Sequence, residues 1–287
     1  MGNKNFKRSA MLNNATYTQY INRFTNITVS SIGWNGLPDE IDERYLELWL
    51  FYNGKVLFFN DDVLNNFIVA RFTGSSPFTI YNEPMFRHAY TNNGINWDLD
   101  NNNSVIIYDN FTNTSMYYEA SLFAERLYTI ERTIDVNIAQ QKTPRIIIAD
   151  ENELMSFQNA MMAIDGNQYA IYASKKFNID NFNVLPTQSP YVSDKLYTIK
   201  RQYINEYLTM IGIATANSEK AERLVSDEAA TNISPALAYR NIRLARRRQA
   251  GEQIGRMFGI AAPTPYFRYP DIYNSSSLIP YEGGEIE

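Results

Sequence analysis

The sequence predicts an α+β chain in which two long amphipathic helices enclose a small α/β insert. Three observations predict it. Between Ser115 and Gln141 there is no Gly or Pro, and Phe123, Leu127, Ile130, Ile134 and Ile138 recur at steps of four, three, four and four. That spacing marks one face of a helix. From Tyr191 to Ile213, the residues Val192, Leu196, Ile199, Tyr203, Tyr207 and Ile211 repeat the pattern. The residues between carry short apolar runs of strand type, such as Arg145 to Ala149 (RIIIA).

The elements follow in order. Residues 11–31 read as a helix, with Leu12, Tyr20, Phe24 and Ile27 at roughly helical intervals. Gly33 to Pro38 reads as a tight break. A second helix is expected from about Glu40 to Tyr52, with Asp39, Glu40 and Asp42 in its first turn, where acids suit the positive end of the dipole. Asn53-Gly54 is a turn signal. Val56 to Phe59, Phe67 to Phe72 and Val105 to Tyr108 read as strands, and Tyr90 to Ser104 as a polar, Asn-rich loop. The first long helix is closed by Pro144, and about 25 residues at 1.5 Å each span roughly 37 Å. In the insert, Glu153 to Ile164 reads as a short helix and Tyr169 to Ala173 as a strand; Asn178 to Pro190 is a turn region. A chain that leaves and returns through two long helices packs them antiparallel as a stalk, although the same pattern suits a helical hairpin inside a globule. A polar segment, Thr215 to Ser234, precedes a third helix, Pro235 to Gly259. The tail is Pro- and Tyr-rich and acidic at Glu282, Glu285 and Glu287.

Composition excludes several kinds of chemistry. Of 287 residues, 45% are hydrophobic and 20% charged, ordinary for a folded soluble chain. The net charge is −5, so nucleic-acid contact has to use local patches. There is no Cys, hence no disulfide, thiolate metal site or Cys nucleophile. The single histidine, His88, excludes a multi-His zinc site. No P-loop or GxGxxG is present, and no apolar run is long enough to cross a membrane. Met1 to Arg8 is polar and basic with no apolar stretch behind it, unlike a signal peptide.

Few residues invite chemistry. Asp98 and Asp100 would suit Mg²⁺ together, but in an Asn/Asp loop they read as turn residues. Glu219 and Asp227-Glu228 sit among Lys220 and Arg223 and read as surface pairs. His88 has no evident partner as a general base. No catalytic residue, cofactor or metal site is therefore expected. The arginine run is different. Arg246, Arg247 and Arg248 cannot share a helix face, because neighbours lie about 100° apart, whereas Arg240, Arg243 and Arg247 can. The expectation is a charged subunit interface or a channel mouth at Arg240, Arg243 and Arg247, against the plainer reading of a solvated helix.

A set of collinear segments resembles a known family. These are Ala139 to Pro144 (AQQKTP), Ser189 to Leu196 (SPYVSDKL), Gly212 to Asn232 (GIATANSEKAERLVSDEAATN), Gly251 to Gly259 and Phe267-Arg268-Tyr269, with Trp34, Leu37 and Pro38 near the start. The chain resembles the portal proteins, also called upper collar or head–tail connector proteins, of small short-tailed phages of the Bacillus-phage type.

The resemblance implies a homo-oligomeric ring, of about twelve subunits on the closed symmetry such rings adopt, at one capsid vertex, with double-stranded DNA passing through it. It implies a wing at 1–114 and 235–287, stem helices at 115–144 and 190–214, a clip at 145–189 and a tunnel loop at 215–234. Lys195 and Lys220 match the family's channel lysines by position. Another channel-lysine position falls on Pro186, and Ala221 follows Lys220, so this chain has fewer lysine rings. The implied partners are the major capsid protein, lower collar and tail proteins, and transiently a packaging ATPase, with no membrane. The implied location is the virion, after assembly in the host bacterial cytoplasm. An acidic bore with sparse lysines repels phosphate on the whole and attracts it weakly at a few levels, without base readout. Two other readings stand beside this one: another collar or tail adaptor ring, and an enzyme acting on nucleic acid or cell-wall polymer through Asp98 and Asp100.

Overall fold

The computed structural model of the chain describes residues 2–61, 63, 66–141, 190–215 and 226–269. The chain divides into two compact units, Met1–Thr129 with Ile199–Glu287, and Ile130–Thr198. The elements are α1 (Gly2–Val29), β1 (Ile32–Asn35), α2 (Glu43–Asn53), β2 (Lys55–Asp61), β3 (Asn66–Phe78), β4 (Pro84–Tyr90), β5 (Asn96–Asp100), β6 (Ser104–Tyr108), α3 (Met116–Gln141), α4 (Ser193–Met210), α5 (Ser226–Phe258) and β7 (Thr264–Phe267). The expected insert elements within 145–189 lie outside the described residues.

In the larger unit, five strands form one antiparallel sheet in the order β5-β4-β3-β2-β6. Strand β2 is an interior strand, paired on one side with β3 and on the other with β6. Val56 and Phe58 face one apolar cluster, Leu57 and Phe59 another. The sheet cannot be flat. Phe59 on β2 and Trp97 on β5 lie three strand steps apart, about 14 Å in a flat sheet, yet their ring centroids are 5.1 Å apart. Trp97 also donates its indole N–H to Asp61 at 3.2 Å. The sheet curls on itself, and the second cluster, with Ala70, Phe72, Ala89, Ile106 and Tyr108, fills the inside of the curl.

Helix α2 is set by its caps. Asp42 accepts the Tyr45 N–H at 3.2 Å, so it is the N-cap rather than a first-turn residue, and Glu43 takes the first-turn place. Gly54 ends the helix at φ 71°, its N–H donating to Leu50 O at 2.8 Å. A Cβ there would lie 2.6 Å from the Thr114 carbonyl group, so glycine is required twice over. Helix α2 and helix α5 bury Leu46, Leu50, Ala250 and Ile254 against Val56, Phe58, Val105 and Ile107. A further cluster joins Tyr20, Ile21 and Phe24 of α1 to Ala120, Phe123 and Leu127 of α3 and to Tyr207 and Ile211 at the end of α4. There Phe24 stacks on Tyr207 at 4.0 Å, and Phe123 meets Tyr207 edge-on at 5.6 Å.

Several elements differ from expectation: α1 begins at Gly2 rather than residue 11, β4 at Pro84–Tyr90 has no counterpart in the sequence reading, and three further differences have identifiable causes. The break at Gly33 to Pro38 begins later, because Ile32–Asn35 is a strand paired with Thr264–Phe267. Its partner is more than two hundred residues away, so no local signal marks it. The polar loop from Tyr90 to Ser104 contains β5, whose Trp97 and Leu99 turn inward while Asn and Asp alternate with them. The third helix starts at Ser226, not Pro235, so residues 226–234 of the expected tunnel loop are helical and Pro235 lies inside the helix. A proline costs a helix one hydrogen bond and some strain, which neighbouring turns and packing can outweigh.

In the smaller unit, the described parts are the last turns of α3 and the first of α4. Asn137 is buried and ties them together. Its side-chain amide donates to Pro190 O at 2.8 Å, and its carbonyl accepts from Val192 N at 3.1 Å and Ser193 Oγ at 3.0 Å.

Candidate functional site

The arginine run on α5 proves to be three residues in three environments. Arg248 is exposed, Arg246 half-buried and Arg247 wholly buried. Arg247 meets Glu47 of α2 as a fork, Nε to Oε1 at 2.9 Å and Nη2 to Oε2 at 2.8 Å. Its Nη2 also donates to Asp109 Oδ1 at 2.6 Å and its Nη1 to Asp109 O at 3.0 Å. One turn earlier, Arg243 reaches the same Asp109 oxygen at 3.4 Å and Ser31 Oγ at 3.2 Å. Trp34 of β1 donates its indole N–H to Glu47 at 2.9 Å. Two guanidinium groups therefore face two carboxylates, and the buried cluster is close to neutral. Such a cluster tolerates burial only because each charge has both a counter-ion and hydrogen bonds.

The electrostatics follow from this geometry. Burial pushes the Asp109 carboxyl up, but Arg243 and Arg247 outweigh it and hold it below the usual carboxylate range. Burial disfavours the Arg247 cation, and Glu47 and Asp109 more than restore it. Next to the cluster, Tyr207 shares a hydrogen bond with Thr28 at 2.5 Å, and burial pushes its phenol up to about 12.

Arg243 and Arg247 are 4% and 0% exposed within a single protomer. The expectation that they face a channel mouth or a neighbouring subunit is corrected: the chain's own Glu47 and Asp109 take them. Arg240 is half-buried, donates to Gly212 O from Nε at 3.1 Å and Nη2 at 2.9 Å, and stacks over Phe267 at 4.1 Å. It holds the end of α4 and β7 from one side.

Lys195 is exposed in the first turn of α4, and no described carboxylate lies within salt-bridge distance of it. The neighbouring Asp194 accepts from Tyr191 Oη at 2.9 Å. Lys220, Glu219 and Pro186, and the side chains of Asp227 and Glu228, lie outside the described residues.

The acidic loop behaves as turn and pair. His88 Nδ1 and Asp98 Oδ1 are 2.7 Å apart across β4 and β5, both exposed. Asp100 accepts the N–H groups of Asn102 and Asn103 at 2.7 and 3.2 Å, closing the turn to β6. Among the described residues, no group of three or more His, Cys, Asp or Glu is placed to hold a metal ion, and no helix is long and apolar enough to cross a membrane.

The long helices leave apolar side chains in solvent. On α3 and α4 these include Tyr118, Leu122 and Ile199 in the larger unit and Val136, Ile138 and Tyr197 in the smaller, where Tyr191, just before α4, is exposed too. The buried hub fastens distant elements of one protomer, and the exposed apolar faces offer contact surface to others, which is the character of an assembly protein. The comparisons with known proteins agree with that class. The Phage Connector (GP10) family model matches residues 3–264, and the chain belongs to that family of phage head–tail connector, or portal, proteins. The fold is similar to a chain in the solved structure of the portal and tail of native bacteriophage P68, with TM-score 0.51 and 18% identity, covering 96% of this chain and 93% of that one. A phage portal protein of the HK97 family from Corynebacterium diphtheriae aligns with TM-score 0.45 and 10% identity, over 88% of this chain and 95% of that one.

Proposed function

We propose that this connector protein works as a closed ring of about twelve copies at the unique capsid vertex, with double-stranded DNA passing through its centre during packaging and ejection. The connector-family match over residues 3–264 carries the reading. The exposed apolar side chains on α3 and α4 support it, because helices with such faces bury them against neighbours. The ring is structural and performs no chemistry; it is built in the host bacterial cytoplasm and docks the capsid protein, the lower collar and tail proteins, and transiently the packaging ATPase.

Lys195 is proposed to face the channel, and Lys220 to do the same from the segment before α5. Each then repeats around the axis as a ring of positive charge in an acidic bore. Such rings act on phosphates through screened attraction, without reading bases, and steady the duplex rather than drive it. Electron microscopy of the purified protein tests the assembly: closed rings are expected, and a stable monomer at micromolar concentration by light scattering overturns it.

A further inference from the structure

A groove of about 500 Å³ in the larger unit is walled by α5 on one side and by the β3–β4 loop, the β5–β6 turn and β6 on the other. Three guanidinium groups line it, those of Arg87, Arg246 and Arg256, against one carboxylate, that of Glu83. Three positive charges and one negative leave the groove at +2, in a chain whose net charge is −5.

That charge is not matched within the described protomer. Arg87 is only 6% exposed, yet it meets no carboxylate. Its Nε donates to Pro84 O at 3.2 Å, and its Nη1 to the carbonyl and hydroxyl oxygens of Ser104. Burial lowers the pKa of its cation, and the charge of Glu83 only partly offsets this. A buried charge without a counter-ion is costly, and the Arg243–Arg247 hub on the same helix meets that cost with two acids for two cations. Arg246 stacks over Tyr108 at 4.8 Å and Phe111 at 5.4 Å, and its Nη1 donates to Gln249 at 2.9 Å. Its Nε–H is enclosed and has no hydrogen-bond partner. No described carboxylate lies within salt-bridge distance of Arg246 or Arg256 either.

Arg246, Gln249, Gln253 and Arg256 step by three, four and three along α5, so cations and amides share one stripe of the helix. This stripe and the buried Arg87 line the same space. A wall of N–H donors at +2 suits a doubly charged oxyanion, whose oxygens accept from several guanidinium groups at once. A phosphate group fits that description, with about −1.5 to −2 of charge at pH 7 and three strong acceptor oxygens. We propose that this groove is a phosphate site, with the phosphate group seated between Arg87 and the α5 stripe and held by Arg246 and Arg256. A free phosphate compound and the backbone of DNA offer the same chemistry, and the experiment separates them.

The test is a calorimetric titration of the full-length protein with inorganic phosphate, at pH 7 in a chloride buffer of low ionic strength. Saturable binding is expected. It is expected to weaken about tenfold in Arg256→Gln, as the loss of one charge-assisted hydrogen bond implies, to tighten in Glu83→Gln, and to weaken as NaCl is added. Arg256 is exposed, so an unchanged melting temperature shows that Arg256→Gln left the fold intact. Arg23→Gln removes the same charge from an exposed position on α1, off the groove wall, and is expected to bind phosphate like the parent. A short DNA duplex that displaces the phosphate assigns the site to nucleic-acid backbone; phosphate binding undisturbed by the duplex assigns it to a free phosphate compound. No saturable binding, or equal loss in Arg256→Gln and Arg23→Gln, overturns the proposal.

Discussion

At the scale of single residues, Asp109 is the counter-ion that two buried guanidinium groups share. It receives Arg243 and Arg247 on one oxygen and is itself fully buried. Asp109→Asn keeps the shape and removes the charge, leaving two buried cations to share Glu47. The expected cost is about 3–5 kcal/mol, the range for breaking a buried pair from one side, read as a fall in urea midpoint. Arg247→Lys is expected to destabilise as well, since an ammonium cannot reproduce the fork to Glu47. The pH profile has two limits. The folded Asp109 titrates below its unfolded value, so its contribution is full above about pH 4 and is lost as pH falls through the lower folded pKa. The folded Tyr207 titrates at about 12 against 10.0 unfolded, so stability is full below pH 10.0 and is lost as pH rises toward 12. Thermal melts from pH 2 to 12 check both edges. The common face of Arg240, Arg243 and Arg247 was legible in their spacing. Their partners were not, because Glu47 and Asp109 look like any surface acid until the fold brings them in.

At the scale of elements, the two long helices were the most legible feature, since apolar steps of three and four persist through each. Helix α2 was nearly as clear, its end at Gly54 marked by the Asn53-Gly54 turn, although its start was read three residues early and Asp42 is its N-cap rather than a first-turn acid. What escaped was pairing at a distance. β1 and β7 each span four residues and have no pattern of their own until they meet. β5 was hidden by the Asn and Asp that alternate with Trp97 and Leu99. Asn137 is a similar case, one polar residue among many in an Asn-rich chain. Its three bonds hold the start of α4 to the end of α3. Asn137→Ala leaves Val192 N–H and Pro190 O without these partners. Hydrogen exchange is expected to quicken at Val192 and in the first turn of α4, at a cost of about 1–3 kcal/mol for buried groups left unpaired, while amides of β2 keep their protection.

At the scale of the molecule, the ring proposal makes a prediction that separates assembly from channel behaviour. Lys195 is exposed and outside every described ion pair, so Lys195→Ala is expected to leave ring formation unchanged. DNA retention or pausing during packaging is expected to change, more at low salt than at high salt. Rings that fail to form with Lys195→Ala show that the residue is an assembly contact; DNA behaviour unchanged at every salt concentration removes it from the channel. The buried hub bears on synthesis as well as on stability. Asp109 and Arg247 are 138 residues apart, and Glu47 and Arg247 are 200 apart. At about 5–20 residues per second, Asp109 leaves the ribosome roughly 7–28 seconds, and Glu47 roughly 10–40 seconds, before Arg247. During that interval Glu47 and Asp109 lack the arginines that meet them in the finished fold, and burying them costs the desolvation that the guanidinium groups later offset. A chain ended before Arg243 is therefore expected to lack the stable hub, and limited proteolysis of such a truncation, cleaved faster than the full-length chain, checks it.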